Sequence, residues 1–183
     1  GYEVLTAFFL EATFLGVMLF GWKRVGRGLH FIATCAVAVG TTISAFWILS
    51  ANSWMQTPAG FAIDGEGRFY ATDWLKVIFN PSFPPRFVHM LLSAYITTAT
   101  VVLAAGAAQT LRGRMSAPTR VQMRMAAATL AVLMPLQIWA GHWSGEVAHK
   151  HQPSKTAAIE GYWETRADQP LHLFGIPDRD AQK

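Results

Sequence analysis

Four long apolar stretches constrain this sequence more than any other feature. They lie at about 4–22, 31–51, 87–108 and 125–141. As a helix, the first would cover about 28 Å, close to the ~30 Å hydrocarbon core of a bilayer. Only 14% of the residues are charged, against roughly 25% in soluble domains. We therefore predict an all-α integral membrane bundle of four transmembrane helices, with an outer connecting loop and a polar segment at the end.

The basic residues predict how this bundle is oriented. Positive charge follows the first and third apolar stretches without balancing acids, and the positive-inside rule places such loops in the cytoplasm. The connection 52–86 and all residues after 142 are then extracytoplasmic, which divides the chain into a transmembrane region, 1–142, and an outer region, 143–183. Orientation explains the net charge of +4, so we expect no nucleic-acid partner. The basic residues are Lys23, Arg24, Arg27, Arg112, Arg114, Arg120 and Arg124.

Prolines and the single cysteine refine this prediction. The run 80–85 contains three prolines, which forbid a continuous helix there, whereas Pro135 is tolerable in a packed membrane helix that we expect to be short. Cys35 lies inside an apolar stretch, and we expect it to be a small buried side chain. Because the chain opens at Gly1 on the edge of an apolar helix, we expect an internal fragment of a larger subunit.

Glu11 is the costliest residue in the first stretch, since an ionisable group near the bilayer centre costs at least ~2.5 kcal/mol. It indicates a proton path or a cofactor, or else a protonated carboxyl bonded to a neighbouring helix. Glu3 lies about 80° round the helix and ~12 Å away, too far for one dyad. Ser44 lies at a similar depth to Glu11, ~10 Å below the outer surface, so its hydroxyl is predicted to bond or relay a proton to Glu11, unless it only packs.

His89 opens the third stretch and supports two interpretations. A neutral imidazole in the outer leaflet is a natural haem or metal ligand, but a histidine near a helix end is also a common interfacial residue. His149 and His151 are two residues apart and would point to opposite sides of a helix, so we expect no metal site there. Sequence signatures of P-loop, Rossmann, GxSxG and HExxH enzymes are absent.

The segment 141–165 is too polar for a membrane, and we interpret it as a substrate-binding loop at the membrane surface. Lys155 and Glu160 flank a short apolar run within it. A carboxylate there would accept a proton from an oxidised substrate, although a solvated amphipathic turn with an ordinary ion pair is the simpler alternative.

Four runs resemble subunit I of the cytochrome bd quinol oxidases: AFFLEATFLGVMLFGW, SAFWILSANSWMQTP, RFVHMLLSAY and HQPSKTAAIEGYWET. They occur in the family's order and span nearly the whole chain. The short loop with His151, Gln152 and Pro153 is similar to the cyanide-insensitive branch.

The resemblance implies roles for particular residues. His89 matches the axial ligand of the low-spin haem b, and Lys155 and Glu160 match the residues that bind and oxidise quinol. Glu3 and Glu11 match membrane glutamates near the high-spin haem b and haem d, where oxygen is reduced, with Glu11 and Ser44 associated with proton delivery. A family signature beside the haem region matches Asn52, Trp54, Met55 and Gln56.

The resemblance also implies the setting. The expected partners are subunit II, a small single-helix subunit, membrane lipid, quinol and oxygen, and the expected location is the bacterial cytoplasmic membrane. The family's other axial ligands have no counterpart in this sequence, so the isolated fragment is expected to be inactive. The rival interpretation is a non-enzymatic membrane module or a proton-coupled transporter, with Glu11 as the coupling carboxylate and His89 merely interfacial.

Overall fold

The computed structural model describes residues 2–161, and most of them are helical. The helical elements, after a π-helical stretch at Val4–Phe8, are α1 (Phe9–Phe20), α2 (Arg27–Gln56), α3 (Trp74–Ile78), α4 (Phe83–Leu111), α5 (Ala117–His151) and α6 (Pro153–Glu160). Two short strands, β1 (Phe61–Ile63) and β2 (Phe69–Ala71), lie between α2 and α3.

Three of the helices, α2, α4 and α5, are long and apolar enough to cross a membrane, and Val4–Phe20 is a shorter apolar helix. The prediction of membrane helices is confirmed for these three, and the count of four stays a prediction. Each long helix extends past its apolar stretch, because polar residues continue it beyond the hydrocarbon. The 30 residues of α2, for example, cover about 45 Å.

The structure agrees with a mostly helical bundle, and the predicted outer connecting loop after α2 contains two short strands that the sequence did not predict. Strands β1 and β2 form an antiparallel hairpin in which Phe61 pairs with Ala71 and Ile63 with Phe69. The Asp64 carboxylate closes its turn by accepting from the backbone N–H of Arg68, at 2.8 Å, and by pairing with the Arg68 guanidinium. These contacts lower the pKa of Asp64, and the hydrogen bond from the backbone N–H of Arg68 has the largest effect.

The prolines before α4 begin that helix. Pro84 and Pro85 occupy its first turn, where a backbone N–H has no partner within the helix. Just before them, the fully buried Asn80 donates to the carbonyl of Ser50, at 3.2 Å, and accepts from the Thr57 hydroxyl. This buried hydrogen-bond cluster joins the end of α2 to the start of α4.

Helix α5 is longer than the sequence suggests. It runs through Pro135 as one 35-residue helix, so the expectation of a short fourth segment is wrong. The expected loop 141–165 is also wrong over its first part, because α5 continues to His151 and α6 follows at once. The predicted boundary at 142 thus falls inside a helix, and residues 162–165 lie outside the described part of the chain.

Helix contacts are made mainly by small residues. The described buried apolar residues are nearly all alanine, and small side chains allow membrane helices to approach closely. Cys35 is exposed, contrary to expectation, because it lies on a face of α2 that this chain does not cover. The buried alanines and glycines within the helices are Ala7, Ala33, Gly40, Ala45, Ala99, Gly106, Ala126 and Ala140.

The contact between α1 and α2 gives a testable prediction. A Cβ atom at Gly40 would lie 2.8 Å from Cγ and 3.4 Å from the backbone N of Glu11. We expect Gly40→Ala in the full-length protein to lower the free energy of unfolding by about 1–3 kcal/mol, since overpacking forces the helices apart. Thermal unfolding in detergent would measure this effect.

Gly16→Ala is the matched control, because no atom lies within 4 Å of its added methyl group. It is expected to be neutral or slightly stabilising. Equal stability of the Gly40 and Gly16 variants would contradict the close contact.

Candidate functional site

A cavity of about 230 Å³ lies where the end of α2, the first turn of α4, the last turns of α5 and the start of α6 meet. Hereafter it is called the α4–α5 cavity. Its walls combine two cations with neutral polar and small apolar groups. The lining residues are Gln56, Ser82, Pro85, Arg86, Ser144, Val147, Ala148, Gln152 and Lys155.

The two cations in the wall are each bonded to an amide on α2. Arg86 Nη2 donates to Asn52 Oδ1, and Lys155 Nζ donates to Gln56 Oε1 at 3.2 Å. Within residues 2–161, neither cation forms a salt bridge with a carboxylate. The cavity wall therefore keeps a positive charge that the described acidic residues do not neutralise.

Gln152 fixes the start of α6 against the end of α2. Its side-chain Nε2 donates to the backbone carbonyl of Gln56 at 2.9 Å and to Gln56 Oε1 at 3.1 Å. Pro153 then begins α6, and Lys155 follows within the first turn. Gln56 and Lys155, which are far apart in sequence, thereby reach one wall of the cavity.

His89 lies in the seam between α4 and α5, next to the cavity. It follows Arg86 by three residues, so both lie on one face of α4, about 4.5 Å apart along the helix axis. Across the seam, Gln137 Nε2 lies 3.1 Å from His89 Nε2 and 3.2 Å from Nδ1. A Cβ atom at Gly141 would lie 3.4 Å from His89 Cε1, so glycine makes room for the ring.

The surroundings of His89 fit one axial ligand of a haem. The imidazole is half-buried, and the Gln137 amide nitrogen faces it, while the buried Gln137 Oε1 has no hydrogen-bond partner among residues 2–161. Iron would bind one ring nitrogen and leave the other to a hydrogen-bond partner, as ligating histidines commonly require, and Gln137 is the polar neighbour on α5 nearest both nitrogens. Over the described residues, no three His, Cys, Asp or Glu side chains form a metal-binding group.

The membrane glutamates lie elsewhere, between α1 and α2. Ser44 Oγ donates to Glu3 Oε1 at 2.9 Å, so the predicted bond from Ser44 to Glu11 is wrong. The ends of the apolar stretches give Ser44 and Glu11 equal depth, but the turn between α1 and α2 sets the register, and Glu3 and Ser44 each lie about five turns from it. Glu11 packs against Gly40, and its buried Oε1 has no described partner.

The remaining predicted residues divide between the cavity and its surroundings. Lys155 lines the cavity, whereas Glu160 is the half-buried last residue of α6 and is outside the lining. Trp54 packs its ring against Phe61 of the hairpin, and Met55 is exposed. The signature therefore has one face toward the cavity and another toward the hairpin.

Two residues of the cavity lining, Arg86 and Ser144, are not among the predicted site residues. Spacing gave a signal for Arg86, which precedes His89 by one helical turn. No comparable signal marked Ser144, whose buried hydroxyl lines the cavity without a hydrogen-bond partner among the described atoms.

Comparison with known proteins gives a consistent result. Residues 1–183 match the family described as cytochrome bd terminal oxidase subunit I. The chain is 39% identical to cytochrome bd-II ubiquinol oxidase subunit 1 of Escherichia coli (strain K12), over 99% of this chain and 36% of that protein. It is 36% identical to cytochrome bd ubiquinol oxidase subunit 1 of Bacillus subtilis (strain 168), over 91% and 35%.

A solved structure agrees with these sequence matches. The bd oxidase from Geobacillus thermodenitrificans superposes with a TM-score of 0.82 at 32% identity, covering 97% of this chain and 41% of that chain. The present chain thus spans a little over a third of the length of the relatives it matches. With its long apolar helices, the chain is a multi-pass membrane protein.

The bond between Ser44 and Glu3 gives a second prediction. In Ser44→Ala, Glu3 loses a hydrogen bond worth roughly 1 kcal/mol, whereas Glu11 loses none. We expect the infrared carboxyl band of Glu3 to shift and that of Glu11 to stay, with the bands assigned through Glu3→Gln and Glu11→Gln.

Thr42→Val is the control, because the Thr42 hydroxyl donates to the Ala38 carbonyl of its own helix. It should move neither band. A shift confined to the Glu11 band in Ser44→Ala would contradict the assignment.

Proposed function

Since the chain belongs to the cytochrome bd terminal oxidase subunit I family, we propose that it forms the quinol-oxidising part of a quinol:oxygen oxidoreductase. One observation carries the proposal: Lys155 and Arg86 line one cavity, and His89 lies one helical turn from Arg86 on the same face of α4. A substrate in the α4–α5 cavity would be close to a group bound by His89.

Quinol oxidation suits the chemistry of this cavity. A quinol becomes a quinone by losing two electrons and two protons, so its oxygens become more negative as each proton leaves. Arg86 and Lys155 can donate hydrogen bonds to those oxygens and stabilise that charge. Glu160, at the end of α6, would accept a proton and release it at the outer surface.

His89 would hold the low-spin haem b, which would supply one-electron chemistry when bound. Gly141 provides space beside the ring, and Gln137 orients it. A high-spin haem b and haem d, expected in the whole enzyme, would supply the oxygen-reducing chemistry. Between α1 and α2, Glu11 and the Ser44–Glu3 pair would deliver protons toward oxygen.

The positive-inside rule supports an outer location for the cavity. The α1–α2 turn carries Lys23 and Arg24, and the α4–α5 turn carries Arg112 and Arg114. Both turns lie at the opposite end of the helices from the cavity and the hairpin. In a bacterial cytoplasmic membrane, the residues 52–86 and those after 142 would then face outward.

Exposed apolar side chains support a larger assembly in lipid. Large residues such as Phe20, Phe31 and Ile138 are each more than two-thirds exposed in this chain. Lipid, the rest of the subunit, subunit II and a small single-helix subunit would cover such surfaces.

The haem assignment predicts a spectroscopic result in the full-length oxidase. In His89→Ala, the reduced-minus-oxidised spectrum of membranes should lose the low-spin haem b band. The other haem bands should remain, because His89 is proposed to bind the low-spin haem b alone. His142→Ala is the control, since that imidazole is exposed and near Glu146, and it should keep every band.

An unchanged low-spin band in His89→Ala would make His89 an interfacial residue. Glu11, whose buried Oε1 has no partner among the described residues, would then support the alternative of a proton-coupled transporter.

Substitutions of Lys155 and Glu160 should change different kinetic constants of quinol oxidation. Lys155→Met removes a binding cation and is expected to raise the KM for quinol, while Glu160→Gln removes the proton acceptor and should lower kcat by about 10²–10⁴. Steady-state oxygen uptake with a short-chain quinol would measure both. Identical KM and kcat in wild type and Glu160→Gln would contradict the proton-acceptor role.

A further inference from the structure

The last turns of α2 carry two carboxamides beside the α4–α5 cavity: Gln56 lines it, and Asn52 is bonded to Arg86, which lines it. Asn52 and Gln56 are four residues apart and therefore lie on one face of the helix. Each accepts a hydrogen bond from a cation that lines the cavity, Asn52 from Arg86 and Gln56 from Lys155. One face of α2 thus contacts both cations.

The choice of amides in this position has an electrostatic consequence. A carboxylate beside either cation would form an ion pair and offset its charge, more completely at the half-buried Arg86 than at the exposed Lys155. An amide oxygen fixes the direction of a cation as a neutral dipole. Arg86 and Lys155 therefore keep their charge for another ligand.

We propose that Asn52 and Gln56 are positioning residues that aim Arg86 and Lys155 into the cavity without neutralising them. This inference rests on the proposed function, in which a quinol headgroup occupies the cavity. It gives the two amides a role at the substrate site, whereas their motif suggested one beside the haem.

Gln56 has the larger part in this arrangement. Its side-chain oxygen accepts from both Lys155 and Gln152, and its backbone carbonyl accepts from Gln152 as well. Lys155 is otherwise an exposed, flexible side chain on a short helix. Gln56 reduces the conformational freedom that Lys155 would lose on binding a substrate.

The size of the cavity suits a headgroup alone. Its volume of about 230 Å³ is below the ~300–1,000 Å³ typical of pockets for drug-sized ligands. The inferred ligand is therefore one ring with oxygen at its edge, and an apolar tail would extend outside the cavity. Such a ring with ionisable oxygens benefits most from unneutralised cations.

The isosteric variant Gln56→Glu in the complete oxidase tests the inference. A carboxylate keeps the contact with Lys155 but cancels its charge, so we expect the KM for a short-chain quinol to rise about tenfold, with kcat changed less than twofold. If Gln56 had only a structural role, KM would stay unchanged in Gln56→Glu, because glutamate strengthens the contact with Lys155. Asn52→Asp should act in the same way through Arg86.

A double-mutant cycle tests whether Gln56 acts through Lys155. In a Lys155→Met background, Gln56→Glu should raise KM no further, because the charge that it cancels is already gone. Additive increases would overturn the inference. Gln122→Glu, at an exposed glutamine near the other end of α5, is the matched control and should leave KM unchanged.

The same measurements separate the two proposals. If Lys155→Met leaves KM unchanged, the proposed quinol site itself fails. If Lys155→Met raises KM but Gln56→Glu does not, only the positioning role fails. Loss of the haem spectrum in Gln56→Glu would also overturn the inference, since it would assign Gln56 to folding.

Discussion

The narrow seam between α4 and α5 is the constraint on which the candidate site depends. Small residues allow the two helices to approach: Gly141 faces His89, and a Cβ atom at Gly106 would lie 2.4 Å from Met123 Cγ. In a membrane, such packing replaces the hydrophobic effect that drives soluble helices together. Because the seam is tight, His89 is held against α5, and the cavity forms only where the helices reach α2 and α6.

The end of α2 organises the second half of the site. One face of its last turns bonds the cations Arg86 and Lys155 through Asn52 and Gln56, while Trp54 contacts the hairpin. Nearby, Asn80 is buried among backbone carbonyls of α2 and the connection. A short polar region thus supports the cavity from outside the apolar helices, where hydrogen bonds can be satisfied without lipid contact.

The sequence predicted the parts of this structure that depend on local pattern. Apolar length located α2, α4 and α5, and proline placement indicated where α4 begins. The hairpin was not predicted, although FAI and FYA flank a glycine-containing turn, because two three-residue strands are too short for a clear alternation. The extension of α5 to His151 was missed because its polar final turns resemble a loop.

Contacts between distant residues were harder to predict. Equal depth in the apolar stretches predicts a bond between Ser44 and Glu11, yet the register of α1 on α2 pairs Ser44 with Glu3. Lys155 was identified through its motif, but its contact with Gln56, 99 residues earlier, depends on how α6 folds back onto α2. Such information lies in tertiary packing and has no local signature.

Single-turnover reduction of the low-spin haem b tests the central claim most directly. In the complete oxidase, a stopped-flow experiment would mix the oxidised enzyme anaerobically with limiting short-chain quinol, for wild type, Arg86→Met and Lys155→Met. If the α4–α5 cavity feeds electrons to the haem at His89, both variants will be reduced slowly by quinol and at the wild-type rate by dithionite. Reduction of both variants by quinol at the wild-type rate would contradict this account.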